Sequence, residues 1–584
     1  MKNWKKALIC VLGAALMLPA LTACAPQEAV EEDKVVYEGT IEEKIDAFWN
    51  DHEDTAAGMM VGVFDKDGVI YKGYYGYMNI DAGIMVDEKT VIDWGSTTKT
   101  LVWVSVMQLW EQGKIDLNED IRTYLPDGFL TNLSYDKPIT MIDLMNHQAG
   151  FQEYYTDMMV LPSCEPVSLE EALKQDQPAQ IFEPGTVTAY SNWGVALAGY
   201  IVECVSGESF CDYVHENIFE PLGMNDTALA PDLSDNPSVK KMRDMLYCYS
   251  GTTSMSESFY IIQLYPAGAC VSTLDDYIKF GSCFVQDEFP LFENPETFDV
   301  MMSATSYFGD TDVAKNAHGF WALPYGDSVY GHGGNTQGCS SYITFDPVNQ
   351  IGCVVMTNQS GETTFNMDMM ELIYGESTWD FPAADGIKDG MYHPARTVLQ
   401  GHFKLMGATF MSTDSFEDWY WTYNEDDGIP KFEGLYGDYY LVPVSQMVIE
   451  CVLIYGWILS LVVALIALVV KFIRFIVRKL MKSKKKTILG TQVGLACWLE
   501  LTIALAGGAA MLMMGMWVPI SVYGFLFPVV GVLTLVLAAL AVFMVIKFIA
   551  TARNATVLRK IINICSMLFA VLNVVLVVYF ELWH

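Results

Sequence analysis

The chain has 584 residues, 52% of them hydrophobic, with a mean hydropathy of +0.25 and yet a formal net charge of −36. No uniformly mixed soluble domain combines these properties, and a length of roughly four average domains rules out a single small module. The segment between Ala25 and Gln446 holds 19 basic against 67 acidic residues, a net −48, and a surface of that sign repels phosphate backbones, so nucleic acid is not expected as a partner.

The first element is an export signal over residues 1–24. Lys2, Lys5 and Lys6 form a basic head, Ala7 to Ala20 an apolar stretch too short to span comfortably, and Leu21-Thr22-Ala23-Cys24 a small-residue cleavage site. It resembles a bacterial lipobox, which would make Cys24 the acylated first residue of the mature protein. Residues 25–40 read as an acidic linker.

Residues 41–375 read as an α+β domain. A helix is predicted over Ile41–Trp49, then a β-hairpin of Gly58–Phe64 and Val69–Tyr75 joined by Asp65-Lys66-Asp67-Gly68. Leu101–Trp110 is apolar enough for a buried helix ending at Gly113, and Trp193–Val205 for another. Strand patterns return at His318–Leu323, Asp327–Tyr330, Ser340–Phe345 and Ile351–Thr357, which predicts an antiparallel sheet completed by both ends of the segment, with helices against it. Residues 376–446 are aromatic and acidic, and read as a short β-rich juxtamembrane module that packs on this domain or sits at the membrane interface.

Residues 447–584 contain four apolar runs near Met447–Val470, Ile488–Met516, Phe525–Ile546 and Ile561–Phe580, each about 20 residues and long enough to cross a bilayer as a helix. The first two are joined by a loop with Lys471, Arg474, Arg478, Lys479, Lys482, Lys484, Lys485 and Lys486; the last two by Lys547, Arg553, Arg559 and Lys560. Both loops are expected on the cytoplasmic side, with Gln446 and His584 outside. Glu500 lies within the second run, where a carboxylate is costly, so proton or ligand handling competes with a protonated, hydrogen-bonded role.

Three stretches carry chemical potential. Ser96 and Lys99 are three residues apart at the head of a buried helix, so an amine depressed by burial can reach the hydroxyl and act as its base. Tyr190-Ser191-Asn192 precedes the second apolar helix, offering a phenol to relay a proton and an amide to hold both the lysine and a substrate carbonyl. Gly331-His332-Gly333-Gly334-Asn335 follows a predicted strand, where glycines let a substrate backbone approach and a backbone N–H could pair with that of Ser96 around an oxyanion. Singly these are cheap, since Ser238-Val239-Lys240-Lys241 repeats the first spacing and Tyr77-Met78-Asn79 the second. Among 13 cysteines there is no Cys-x-x-Cys pair and the histidines are scattered, so neither a zinc site nor a redox motif is expected.

Their ordered combination resembles the serine β-lactamase and penicillin-binding protein superfamily, specifically its class C-like branch. Gly113-Lys114-Ile115-Asp116-Leu117, His147-Gln148-Ala149-Gly150, Phe182-Glu183-Pro184-Gly185 and Glu220-Pro221-Leu222-Gly223-Met224 look like the same family. The resemblance implies a β-lactamase/transpeptidase-like domain that forms an acyl-enzyme without metal or cofactor. Ser96 would be the nucleophile, Lys99 its proton partner, Tyr190 the base and Asn192 a substrate-positioning amide, while His332, Gly333, Gly334 and Asn335 would bind substrate and oxyanion. His332 stands where many relatives have lysine, and imidazole holds a carboxylate less firmly. The implied substrates are D-amino-acid peptides, esters of cell-wall polymers or β-lactam-like compounds, at a bacterial cytoplasmic membrane with the hydrolase outside. The other readings are a sensor that signals through the helices, or a transporter whose cargo the hydrolase processes.

Overall fold

Alternate residues of a strand face opposite sides of a sheet, and in strand β1, Gly58–Asp65, both sides are buried. Met59, Val61 and Val63 join Ile45, Phe48 and Trp49 of helix α1, Ile41–His52, while Met60 and Phe64 join the larger cluster on the other face. That double cover explains why the segment is a continuous apolar run rather than an alternating one. The computed structural model describes residues 35–583 apart from 154–157, 161, 176, 256–259, 380, 382–386, 397–410, 413–421, 426–427, 482–489 and 516–519. The export signal with Cys24, most of the linker, and Lys482, Lys484, Lys485 and Lys486 lie outside the described residues.

The hairpin forms as expected, β1 turning into β2, Gly68–Asn79, with Asp65 Oδ1 accepting from the N–H groups of Asp67 and Gly68 at 2.8 and 3.0 Å. A nine-stranded antiparallel sheet is completed by β3, Ile84–Met85, and by six later strands: β4, Ser306–Tyr307; β5, Ala314–Ala317; β6, Phe320–Ala322; β7, Tyr330–Asn335; β8, Ser340–Asp346; and β9, Ile351–Thr357. The spatial order is β4-β5-β6-β7-β8-β9-β1-β2-β3, so strands from both ends of the segment meet at β9 and β1. One expectation is corrected. The strand placed at Asp327–Tyr330 begins only at Tyr330, and the glycine motif expected after it is itself strand β7, paired residue for residue with β8.

Helix α2, Lys99–Glu111, is buried without interruption from Lys99 to Leu109, as a helix apolar on every side should be. It lies against α3, Asn192–Ser206, which is capped by Ser191, whose hydroxyl accepts from Gly194 N–H at 3.0 Å, and closed by Gly207.

Beyond this domain a second antiparallel sheet forms from β10, Met391–Pro394; β11, Met411–Ser412; β12, Thr422–Asn424; β13, Lys431–Glu433; and β14, Asp438–Leu441, in the order β11-β10-β14-β13-β12. Four helices follow that are long and apolar enough to cross a membrane: α5 at Val444–Leu480, α6 at Thr491–Gly515, α7 at Leu526–Thr551 and α8 at Val557–Tyr579, where α4 denotes Leu274–Ser282 packed on β9 and β1. The first is far longer than its apolar core, running on through the basic residues to Leu480. Asn573 of α8 donates to Ser460 Oγ of α5 at 3.0 Å. Glu500 is buried in α6, and its Oε1 has no hydrogen-bond partner among the described residues.

Candidate active site

Ser96 sits in a 3₁₀ turn, Gly95–Thr98, that runs directly into α2, and in such a turn residues i and i+3 eclipse one another. Lys99 Nζ accordingly lies 2.9 Å from Ser96 Oγ, and it also donates to Asn192 Oδ1 at 2.8 Å and to the Ala267 carbonyl at 2.6 Å. The lysine is wholly buried, whereas Ser96 keeps partial access to a cavity of about 780 Å³. Burial pushes the Lys99 amine well below its usual range; the negative charge of Glu153 opposes this and the positive charge of Arg396 adds to it.

Asn192 reaches Lys99 because it opens α3, whose first turn faces the first turn of α2. Its Nδ2 donates to Glu153 Oε2 at 3.0 Å, and Trp193 N–H donates to Glu153 Oε1 at 3.3 Å. The amide is therefore a bridge between amine and buried carboxylate. Tyr190 lies just before the capping serine, with its ring 5.1 Å from Lys99 Nζ and 4.9 Å from the Arg396 guanidinium carbon. His147 packs on Tyr190 at 4.3 Å between ring centres, stacks on Trp321 at 5.5 Å and accepts from Ser191 N–H at 3.1 Å. It fixes the place of the phenol.

Strand β7 passes the Ser96 turn backbone to backbone. A Cβ on Gly334 would fall 1.9 Å from the Trp94 carbonyl, and one on Gly95 (φ +55°) would fall 2.6 Å from Asn335 N, so both positions require glycine. Asn335 uses its side-chain oxygen on Ser340 Oγ and Gly361 N–H, at 2.6 and 3.0 Å, and its backbone lies against Gly95, the residue before Ser96. His332 and Gly333 also line the cavity. His332 Nδ1 donates to the Gly333 carbonyl at 2.7 Å, and its Nε2 is buried with no partner among the described residues. Burial, aided by Lys99, pushes His332 down to about 3, so it is neutral at ordinary pH.

The residues that sequence reasoning missed come from elsewhere. Asp438 of the second sheet, with Tyr436 and Gly437 in the turn before β14 and Arg396 just past β10, forms one wall of the cavity. Asp438 Oδ1 accepts from Lys315 Nζ at 2.8 Å, its Oδ2 accepts from Thr188 N–H at 2.8 Å, and Lys431 pairs with Glu433 at 3.1 Å; these four charged groups are nearly wholly buried. Three arginines occur between Ala25 and Gln446, and the occurrence of Arg396 in so acidic a stretch is the one signal that could have singled it out.

A metal could be held only away from this cavity among the described residues, where Cys211, His215 and Asp235 bring one ligand atom each within 4.8 Å of the others, a grouping the sequence reading did not expect. His215 Nε2 and Asp235 Oδ2 are 2.8 Å apart there.

A hydroxyl hydrogen-bonded to an amine whose pKa is lowered by burial, with a phenol and glycine-rich backbone alongside, can attack a carbonyl and hand on its proton. The chain is similar to penicillin-binding protein 4 of Amycolatopsis lactamdurans, 25% identical over 371 residues that take in 57% of this chain and 89% of that one. It is also similar to protein flp of Staphylococcus aureus strain MRSA252, 22% identical over 310 residues, 51% of this chain and 58% of that one. Among solved structures it is similar to the D-amino acid amidase of Ochrobactrum anthropi SV3 complexed with L-phenylalanine, with TM-score 0.47 and 22% identity over 56% of this chain and 96% of that one. The beta-lactamase family model matches residues 41–373, and the chain belongs to that family of serine hydrolases.

Proposed function

We propose that this protein is a membrane-held, extracytoplasmic serine hydrolase whose Ser96 is acylated by a peptide, ester or β-lactam-like substrate and then freed by water. The observation that carries the reading is the buried Lys99 amine, 2.9 Å from Ser96 Oγ and fixed by Asn192 and the Ala267 carbonyl. The Lys99 amine takes the Ser96 proton as Oγ adds to the carbonyl; backbone N–H groups of Ser96 and Asn335 receive the oxyanion; Tyr190 gives its phenol proton to the leaving group as that bond breaks and is reprotonated from Lys99, so both groups return to their starting state. Water adds to the ester by the reverse relay, releasing acid and free Ser96. The name of the Amycolatopsis relative supports a β-lactam-like acylating ligand.

Anchoring follows from two features, acylation at Cys24 and the four apolar helices, with both basic loops in the cytoplasm. Residues 41–375 are then the catalytic unit and 376–446 its junction to the membrane. A fluorophosphonate label on Ser96, absent from Ser96→Ala, tests the reading; an unlabelled wild-type protein refutes it.

A second reading is favoured by one observation. Strand β14, which lines the cavity at Asp438 and Tyr439, ends at Leu441, and helix α5 begins at Val444. A ligand pressing on this wall acts on the first apolar helix through two intervening residues, as a sensor would need. An acyl adduct on Ser96 that persists for hours in wild-type protein favours the sensor, and rapid release favours the hydrolase.

A further inference from the structure

Cys211 and His215 stand four residues apart in the run formed by the short helix Phe210–Val214 and the π-helical turn His215–Phe219, so their side chains share a face. Asp235 reaches that face from the loop after the strand Thr227–Ala228. Its Oδ2 accepts from Leu229 N–H at 2.7 Å, lies 2.8 Å from His215 Nε2 and receives the Cys211 thiol at 3.7 Å. Its Oδ1 is buried with no hydrogen-bond partner among the described residues. The His215 ring is held edge-on to Phe219, 5.0 Å between ring centres. Thiol and imidazole both face one carboxylate oxygen, and are not set in series with each other as a nucleophile and its base would be. One thiol, one imidazole and one carboxylate converging within 4.8 Å, with an acceptor left over, make a ligand set.

We propose that Cys211, His215 and Asp235 hold one zinc ion, at a site apart from the Ser96 cavity and independent of the hydrolase reading. Sulfur and imidazole nitrogen select a borderline-soft metal over calcium or magnesium, which take oxygen ligands. Tetrahedral zinc, with bonds of about 2.0–2.3 Å, puts its ligand atoms roughly 3.4–3.6 Å apart. The thiol–carboxylate separation already matches. The imidazole has to back away from Asp235 by only about half an ångström as the metal replaces their hydrogen bond. Binding forms three metal–ligand bonds, sends the thiol proton to solvent and leaves the imidazole neutral with its proton on Nδ1. The side chains of His215 and Asp235 are 28% and 13% exposed, so a water can take the fourth position. The ion links this helix to the loop after Thr227–Ala228, a strand that pairs with Val271–Thr273 and through it with Val91–Asp93, just ahead of Ser96.

The test uses the full-length protein in detergent, stripped of metal with a chelator, and follows alkylation of Cys211 by N-ethylmaleimide with peptide mass spectrometry as Zn²⁺ is added. At a free zinc concentration ten times the dissociation constant the rate should fall about tenfold, in step with the fraction of unligated thiol. Cys204, exposed and outside the group, should react at an unchanged rate, and Mg²⁺ or Ca²⁺ should leave Cys211 unprotected. His215→Gln and Asp235→Asn each keep a hydrogen-bonding side chain and weaken the ligand set. Each should raise the zinc concentration for half-protection by about 100-fold or more, the upper end of what losing an outer-shell partner costs. Cooperative thermal unfolding reports that a variant is folded, and the wild-type titration decides even where a variant is not. No protection of wild-type Cys211, equal slowing at Cys204, protection by Mg²⁺ or Ca²⁺, or an unchanged half-protection point in a folded variant overturns the assignment.

Discussion

The backbone of Gly437 pairs with that of Ala189, one residue ahead of Tyr190. The second sheet is therefore stitched to the segment that presents the phenol, and the seam is closed by Asp438, Lys315 and Thr188. Breaking a buried ion pair by removing one partner leaves the other charge uncompensated, at a cost of about 3–5 kcal/mol. Lys315→Met and Asp438→Asn are each expected to destabilise on that scale, and the double variant to lose clearly less than their sum. Denaturant unfolding in detergent measures this, and strict additivity would show that the two groups do not act as a pair.

Two neighbouring glycines should behave differently. A Cβ at Gly334 meets backbone, the Trp94 carbonyl at 1.9 Å and Thr97 N at 2.9 Å, and can be accommodated only by driving β7 away from the Ser96 turn. A Cβ at Gly333 meets only the Tyr342 ring, at 3.3 Å, which can yield by a few tenths of an ångström. Gly334→Ala is expected to slow Ser96 labelling by about 10²-fold or more, the scale of losing one oxyanion donor, and Gly333→Ala by far less. Equal rates for the two variants would mean that backbone contact between β7 and the Ser96 turn does not shape the site.

Ser96, Lys99 and Asn192 were legible because each depends on local geometry, a three-residue spacing or a helix start, and the helices α2 and α3 announce themselves by apolar runs. The glycine motif was placed one element too late because glycine is depleted in strands; here the close approach of Trp94 overrides propensity. Glu153, Arg396 and Asp438 were not legible, since their roles arise from pairing between segments 40 to 250 residues apart that leave no periodic trace. The buried charges Lys431, Glu433 and Asp438 tie the second sheet to Thr186, Gly309 and Lys315 of the hydrolase, contacts that leave no mark in the sequence.

Opposite shifts are expected from the two charged neighbours of Lys99. Burial is the main cause of its depressed range, with Glu153 working against that and Arg396 with it. Ser96 loses its base as the amine becomes protonated, so labelling should fall on the acid side. Glu153→Gln removes the charge that favours the ammonium and should move that acid limb to lower pH. Arg396→Met removes a repelling cation and should move it to higher pH. The pH profile of the labelling rate in the two variants decides the matter. Limbs that move the same way would show that Lys99 is not the titrating group.

Stability on the acid side should depend on His332. Its imidazole titrates at about 3 in the folded protein, where it is buried beside Lys99, and near 6.5 in an unfolded chain. Between those values the unfolded chain binds a proton that the folded one refuses, so folding weakens as pH falls from 6.5 towards 3 and gains nothing from this group above 6.5. The expected slope approaches one proton, about 1.4 kcal/mol per pH unit. His332→Gln keeps a polar side chain but no titration in this range, so its stability should fall less steeply than that of wild type across the window, with the two curves parallel above pH 7. Matched unfolding curves from pH 7 to pH 4 provide the check, and curves parallel throughout would place a solvated, protonatable imidazole at this position.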